Sequence, residues 1–180
     1  MQEAARRTLV MELEAGCAPE IAPWLWAIED ARRRTLVTLE GITPEVLDWT
    51  PPAGENAIGT ILYHIAAIEL DWLYVEVLEQ PDFPPEVEAL FPLDVRNADG
   101  RLTPCPGLTI AEHLARFETT RAMLLGTFRA MSVEEFRRVR HLRNYDVTPE
   151  WVLHHLMQHE AEHRGRSGWC GRWRVVSRES

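Results

Sequence analysis

The chain reads as all-α: a four-helix bundle with short extra helices and one long loop. Three observations predict this. Apolar residues recur at helical spacing in four separate stretches, and no segment alternates apolar and polar residues as a half-buried strand would. Capping pairs or Thr-Pro steps stand where several helices should begin.

Taken in order, residues 4–15 are expected to form a short leading helix. Ile21, Leu25, Ile28, Leu36 and Leu39 then make an apolar stripe that Gly41 closes. Thr43-Pro44 opens a short helix, with threonine as cap and proline at the first position. After the turn TPPAGEN, Asn56 is placed to cap a long helix with the stripe Ile58, Ile61, Ile65, Ile68, Trp72 and Val75. Residues 80–108 carry six prolines and two glycines and read as a long connection over the surface of the bundle. Thr109 and Glu112 form a capping box ahead of Ile110, Leu114, Phe117, Leu124 and Phe128, and Ser132 with Glu135 repeats the pattern for a short helix. Thr148-Pro149 starts the last long helix. Residues 1–20 are read as an extension, 21–174 as the bundle and 175–180 as a tail.

Composition narrows the function. The chain has 180 residues, 46% hydrophobic and 26% charged, within the range of one globular domain with a real core. The net charge of −9 opposes contact with phosphate backbones, so no nucleic-acid partner is expected. All 19 basic residues are arginine, which excludes Schiff-base chemistry and a P-loop lysine. No run of the roughly 18 apolar residues needed to span a membrane is present, so no membrane partner is expected. The N-terminus lacks a signal-peptide pattern, and Cys17, Cys105 and Cys170 are too few and scattered for a disulfide framework. Both point to a cytoplasmic protein.

The chemistry lies in the run HEAEHRG. His159 and His163 stand one helical turn apart on the stripe of Val152 and Leu156, so they face inward. Buried imidazoles need partners, and a divalent metal uses both ring nitrogens of such a pair. One pair among seven histidines is a chance-level motif, so its placement carries the argument. A third ligand from a facing helix is His64, between Ile61 and Ile68 at the border of that stripe. Three imidazoles leave an open position for water, substrate or thiolate. His155 falls beside the line and is expected near the ligands or at the surface; His154, His113 and His141 are expected to face solvent.

Other residues invite two readings each. Arg32 and Arg121 interrupt apolar stripes, and either hold an anion near the metal or snorkel to water. Asp71, seven residues past His64, is a solvated acid or a partner of a ligand or of Arg121. Trp24, Trp72 and Trp151 either wall an apolar substrate pocket or simply pack. Cys170, seven residues past His163, lies about 10 Å along the axis, too far to ligate with it.

The segments LDWTPPAGENAIGTILYHIAAIELDWL and YDVTPEWVLHHLMQHEAEHRG resemble the DinB/YfiT-like superfamily of damage-inducible metal-binding bundles, over roughly residues 21–174. Its metal triad falls on His64, His159 and His163. The resemblance implies an up-down-down-up four-helix bundle, often a homodimer, with nickel, zinc or another divalent ion as cofactor. It also implies a small-molecule substrate and, in some members, a low-molecular-weight thiol, with S-transferase or hydrolase activity. One departure stands at Arg166, where members commonly carry glutamine; Gly168 and Gly171 follow, each costing a helix about 1 kcal/mol relative to alanine. Two functions remain open on the residues: a metal-dependent enzyme, or a non-catalytic metal-binding stress-response bundle.

Overall fold

The computed structural model describes residues 6, 8–50, 56–80 and 82–166. Four long helices dominate the described residues: α1 (Ala22–Thr38), α3 (Ile58–Trp72), α5 (Ile110–Arg129) and α7 (Pro149–Arg166). Short helices α2 (Pro44–Asp48), α4 (Pro85–Glu88) and α6 (Val133–Arg137) lie in the connections. α1 packs on α7, and α3 packs on both α5 and α7.

Local signals account for most helix starts. The Thr43 hydroxyl accepts from Val46 N at 3.4 Å, and the Ser132 hydroxyl from Glu135 N at 3.1 Å. Thr109 and Glu112 close a reciprocal capping box. The Thr148 hydroxyl accepts from Trp151 N at 3.2 Å, with Pro149 next. α3 differs from expectation. Its cap position is Ala57 rather than Asn56, with no side-chain bond, and packing fixes the start instead. Gly41, at φ +74, turns the chain after α1.

α3 is the central helix. Twelve of its 15 residues are buried, so it is apolar nearly all round instead of along one stripe. With the π-helical turn Leu73–Val77 that continues it, the segment is long and apolar enough to cross a membrane, yet 78% of it is buried inside the protein. That is the signature of a core helix. On α1 the expected stripe needs correction: Leu36 is 40% exposed, and Arg32 takes a buried place beside Ile28 and Thr35.

Two other expectations fail. Residues 8–14 form no helix; their apolar side chains Leu9, Val10, Met11 and Leu13 are exposed, so among the described residues no surface buries the face that would stabilise so short a helix. A small antiparallel hairpin joins α6 to α7, pairing β1 (Arg140–His141) with β2 (Asp146–Val147) through Arg140 opposite Val147 and His141 opposite Asp146. Two-residue strands carry too little alternation to read from sequence. The 80–108 connection does pack over the bundle: Tyr63 OH donates to Leu93 O at 2.9 Å and accepts from Leu93 N at 3.0 Å, and Val87, Leu102 and Cys105 are buried.

Candidate metal centre

α3 and α7 bring the predicted triad together. His64 is 4% exposed, while His159 and His163 are half-buried one turn apart. His64 Nε2 stands 3.1 Å from His159 Nε2. Ring centroids are 5.0 Å apart for His64–His159, 4.9 Å for His64–His163 and 4.4 Å for His159–His163. One nitrogen from each ring falls within 4.8 Å of the others, a spacing at which the three can hold one ion. Two nitrogens on one tetrahedral ion at about 2.1 Å would lie about 3.4 Å apart, close to the observed pair.

The electrostatics keep these nitrogens available. Burial, then the charge of His163 and of Arg96, pushes His64 down to about 4. Burial, then His163, His64, His155 and Arg96, pushes His159 down to about 3. Both rings are therefore neutral at pH 7, with a lone pair to offer. Among the described residues, His64 Nδ1 is buried with no hydrogen-bond partner, a state a closed structural network would avoid. Arg96, exposed in the long connection and bonded to Gly100 O at 2.9 Å, bears on both rings, and sequence reasoning had not singled it out.

His155 stands outside the cluster of three. Its ring stacks on Trp151 at 5.0 Å and 7°, lies 4.2 Å from Trp72, and reaches His159 at 5.9 Å. Trp72 and Trp151 do wall a groove, but Trp24 does not; it packs against His154 at 6.2 Å. His154 and His141 are exposed as expected. His113 is the correction: it is 1% exposed, with neither ring nitrogen hydrogen-bonded among the described residues. Gly59 makes the room, since a Cβ there would meet His113 Nε2 at 3.2 Å. Burial, then Arg116, pushes His113 down to about 4.

Arg32 and Arg121 neither snorkel nor point to a free anion. Arg32 pairs with Glu69 at 2.9 Å and with Glu160 at 3.0 Å. Arg121 pairs with Glu69 at 2.7 Å, Glu160 at 3.1 Å and Glu29 at 2.7 Å. Their remaining donors reach Phe117 O at 3.0 Å and Ile28 O at 2.9 Å. Burial works to raise Glu69, but Arg121 and Arg32 hold it below the usual carboxylate range. Glu69 and Glu160 were missed as inward acids; the available signal was an acid inside an apolar helix and another beside His159, matching two inward arginines. Asp71 does not bind Arg121; it is half-buried, and burial raises it. Cys17 and Cys105 are free thiols, whereas Cys170, Gly168 and Gly171 lie outside the described residues.

Residues 27–166 match the sequence profile of the DinB superfamily. A search of curated proteins gives no match.

Proposed function

The chain belongs to the DinB superfamily, and on that premise we propose that His64, His159 and His163 bind a divalent ion, nickel or zinc, at the reaction centre of a small-molecule enzyme. The observation that carries this reading is the convergence of three imidazoles from α3 and α7 on one point, two of them, His64 and His159, held neutral by burial. Such an ion supplies Lewis acidity and lowers the pKa of a thiol or water bound at its open position. The chain's residues do the rest. His64 is held by the buried face of α3, so its ring is set before any ion arrives. The positive charge of exposed Arg96 reaches the rings, which favours an anionic thiol or substrate group. Arg121, satisfied by three carboxylates, is not that contact.

The reaction is proposed as thiol S-transfer or hydrolysis in a cytoplasmic protein, in the up-down-down-up order and homodimeric state that the family resemblance implies. Neither nucleic acid nor membrane is a partner in this reading. A second reading has its own support: His64 lies on α3 and the other two on α7, so an ion would also staple the two helices. In that case the protein is a metal-binding stress-response bundle without turnover.

Metal analysis of untagged protein tests the site. Stoichiometric metal that is lost in His64→Ala and His159→Ala supports it; folded wild type that takes up neither zinc nor nickel refutes it. Thiol-dependent consumption of monochlorobimane, or ester hydrolysis, that vanishes in the same variants identifies the enzyme. Metal that raises Tm without turnover of either probe favours the staple.

A further inference from the structure

A groove of about 680 Å3 opens beside the histidine cluster, between α7, the end of α3 and the hairpin. Trp72, Tyr145, Trp151 and His155 line it, with Val147 and Asp146. The rings lie in similar planes: Trp72–Tyr145 at 27°, Trp72–Trp151 at 31° and Trp151–His155 at 7°. Tyr145 is fixed at the wall by its hydroxyl, which donates to Glu76 Oε1 at 2.6 Å. Glu76 belongs to the π-helical turn that directly follows Trp72, a device common where a helix serves a site. Yet Tyr145 is 45% exposed and Trp151 47% exposed, large aromatic surfaces left in water.

Size and charge indicate the occupant. Eight residues line the groove, short of the roughly 20–30 a side that a stable protein interface uses. Among them is one carboxylate, Asp146, and no arginine, and Glu76 stands behind Tyr145 with a buried Oε2 that no hydrogen bond satisfies. Parallel aromatic faces stack flat rings, and a lining whose one formal charge is the Asp146 carboxylate, with no arginine, offers nothing to hold an anionic one. His155 joins the two regions, stacked on Trp151 on one side and 5.9 Å from His159 on the other.

We propose that this groove binds a flat aromatic ring of a small molecule, neutral or cationic but not anionic, and seats it beside the metal centre. Its role as a substrate subsite rests on the metal reading above, while the binding itself does not. The aromatic groove and the histidines thus receive different parts of a substrate: an arene in one, a nucleophilic group at the other.

The test is calorimetric titration of metal-free full-length protein with 2-naphthol, N-methylquinolinium and naphthalene-2-sulfonate. Trp151→Ala is the informative variant, because a half-exposed side chain can be removed with the fold intact, as circular dichroism will verify. Naphthol and quinolinium should bind wild type at least about tenfold more tightly than the sulfonate, and lose about tenfold in Trp151→Ala. Equal binding of all three probes, or binding indifferent to Trp151, overturns the proposal. So does a wild-type dimer that Trp151→Ala splits in sedimentation equilibrium, which would make the face a contact between copies. Metal content separates the two claims. Arene binding by a protein that takes up no metal refutes the metal centre and keeps the groove; metal uptake without arene binding does the reverse.

Discussion

Two buried polar clusters tie the same pair of helices together, and they are built on opposite principles. Between α3 and α7, with α1 and α5 alongside, Glu69 and Glu160 meet Arg32 and Arg121 as two negative and two positive groups. Their oxygens and guanidinium donors find partners within 3.3 Å, including backbone carbonyls and Thr120. Five residues before Glu69, His64 meets His159 and His163, and there like groups face like groups. That second cluster has no acid among its three members and leaves His64 Nδ1 without a bond. Desolvated charge persists in a core when it is neutralised within the core, whereas the buried Nδ1 of His64, unbonded among the described residues, marks a cluster that a ligand can complete.

The contrast predicts opposite responses to mutation. Glu69→Leu strands two buried arginines, and unfolding in urea should show a loss of about 3–5 kcal/mol. A loss below about 1 kcal/mol would mean that the ion network does not hold the bundle. In the histidine cluster the larger effect falls on the ligand. His159→Ala should weaken zinc or nickel binding by more than about 100-fold while lowering metal-free stability less than Glu69→Leu does. If metal-free His159→Ala is the less stable of the two, the cluster is structural and the comparison breaks.

His113 extends the contrast, because it is buried without a hydrogen bond among the described residues yet lies outside both clusters. Its folded value of about 4 lies below the ordinary 6.5, so the unfolded chain binds the extra proton first. Stability is therefore complete above about pH 6.5 and declines as pH falls towards 4. Replacing His113 with leucine should reduce the stability lost between pH 7 and pH 4 by about 3 kcal/mol, measured by urea unfolding at each pH. The smallest effect belongs to Arg96. Histidine titrations followed by NMR in metal-free Arg96→Gln should show His64 and His159 rising by a few tenths of a pH unit, and 1 M salt should erase the difference, since Arg96 is exposed.

How much of this was legible follows the range of the interactions. Thr43, Thr109, Ser132 and Thr148 announce their helices because a cap bonds within three residues of itself. The same locality exposes His159 and His163, one turn apart on a single helix. The leading helix failed because propensity without a surface to bury against does not hold so short a segment. His113 was misplaced because its burial depends on Gly59, fifty-four residues earlier, lacking a side chain.

Periodicity, residue type and short-range bonding were enough for the helical class, the caps at Thr43, Thr109, Ser132 and Thr148, the missing lysine chemistry and the three histidines. Only the tertiary structure shows that Arg32 and Arg121 answer Glu69 and Glu160, that His113 is enclosed, that the charge of Arg96 reaches the imidazoles, and that Trp72, Tyr145 and Trp151 leave a groove open near His155. The physical reason is that burial and charge pairing depend on which side chains meet across helices. Helical spacing says which way a residue points along its own axis, and only the packing of α3 against α5 and α7 says what it finds there.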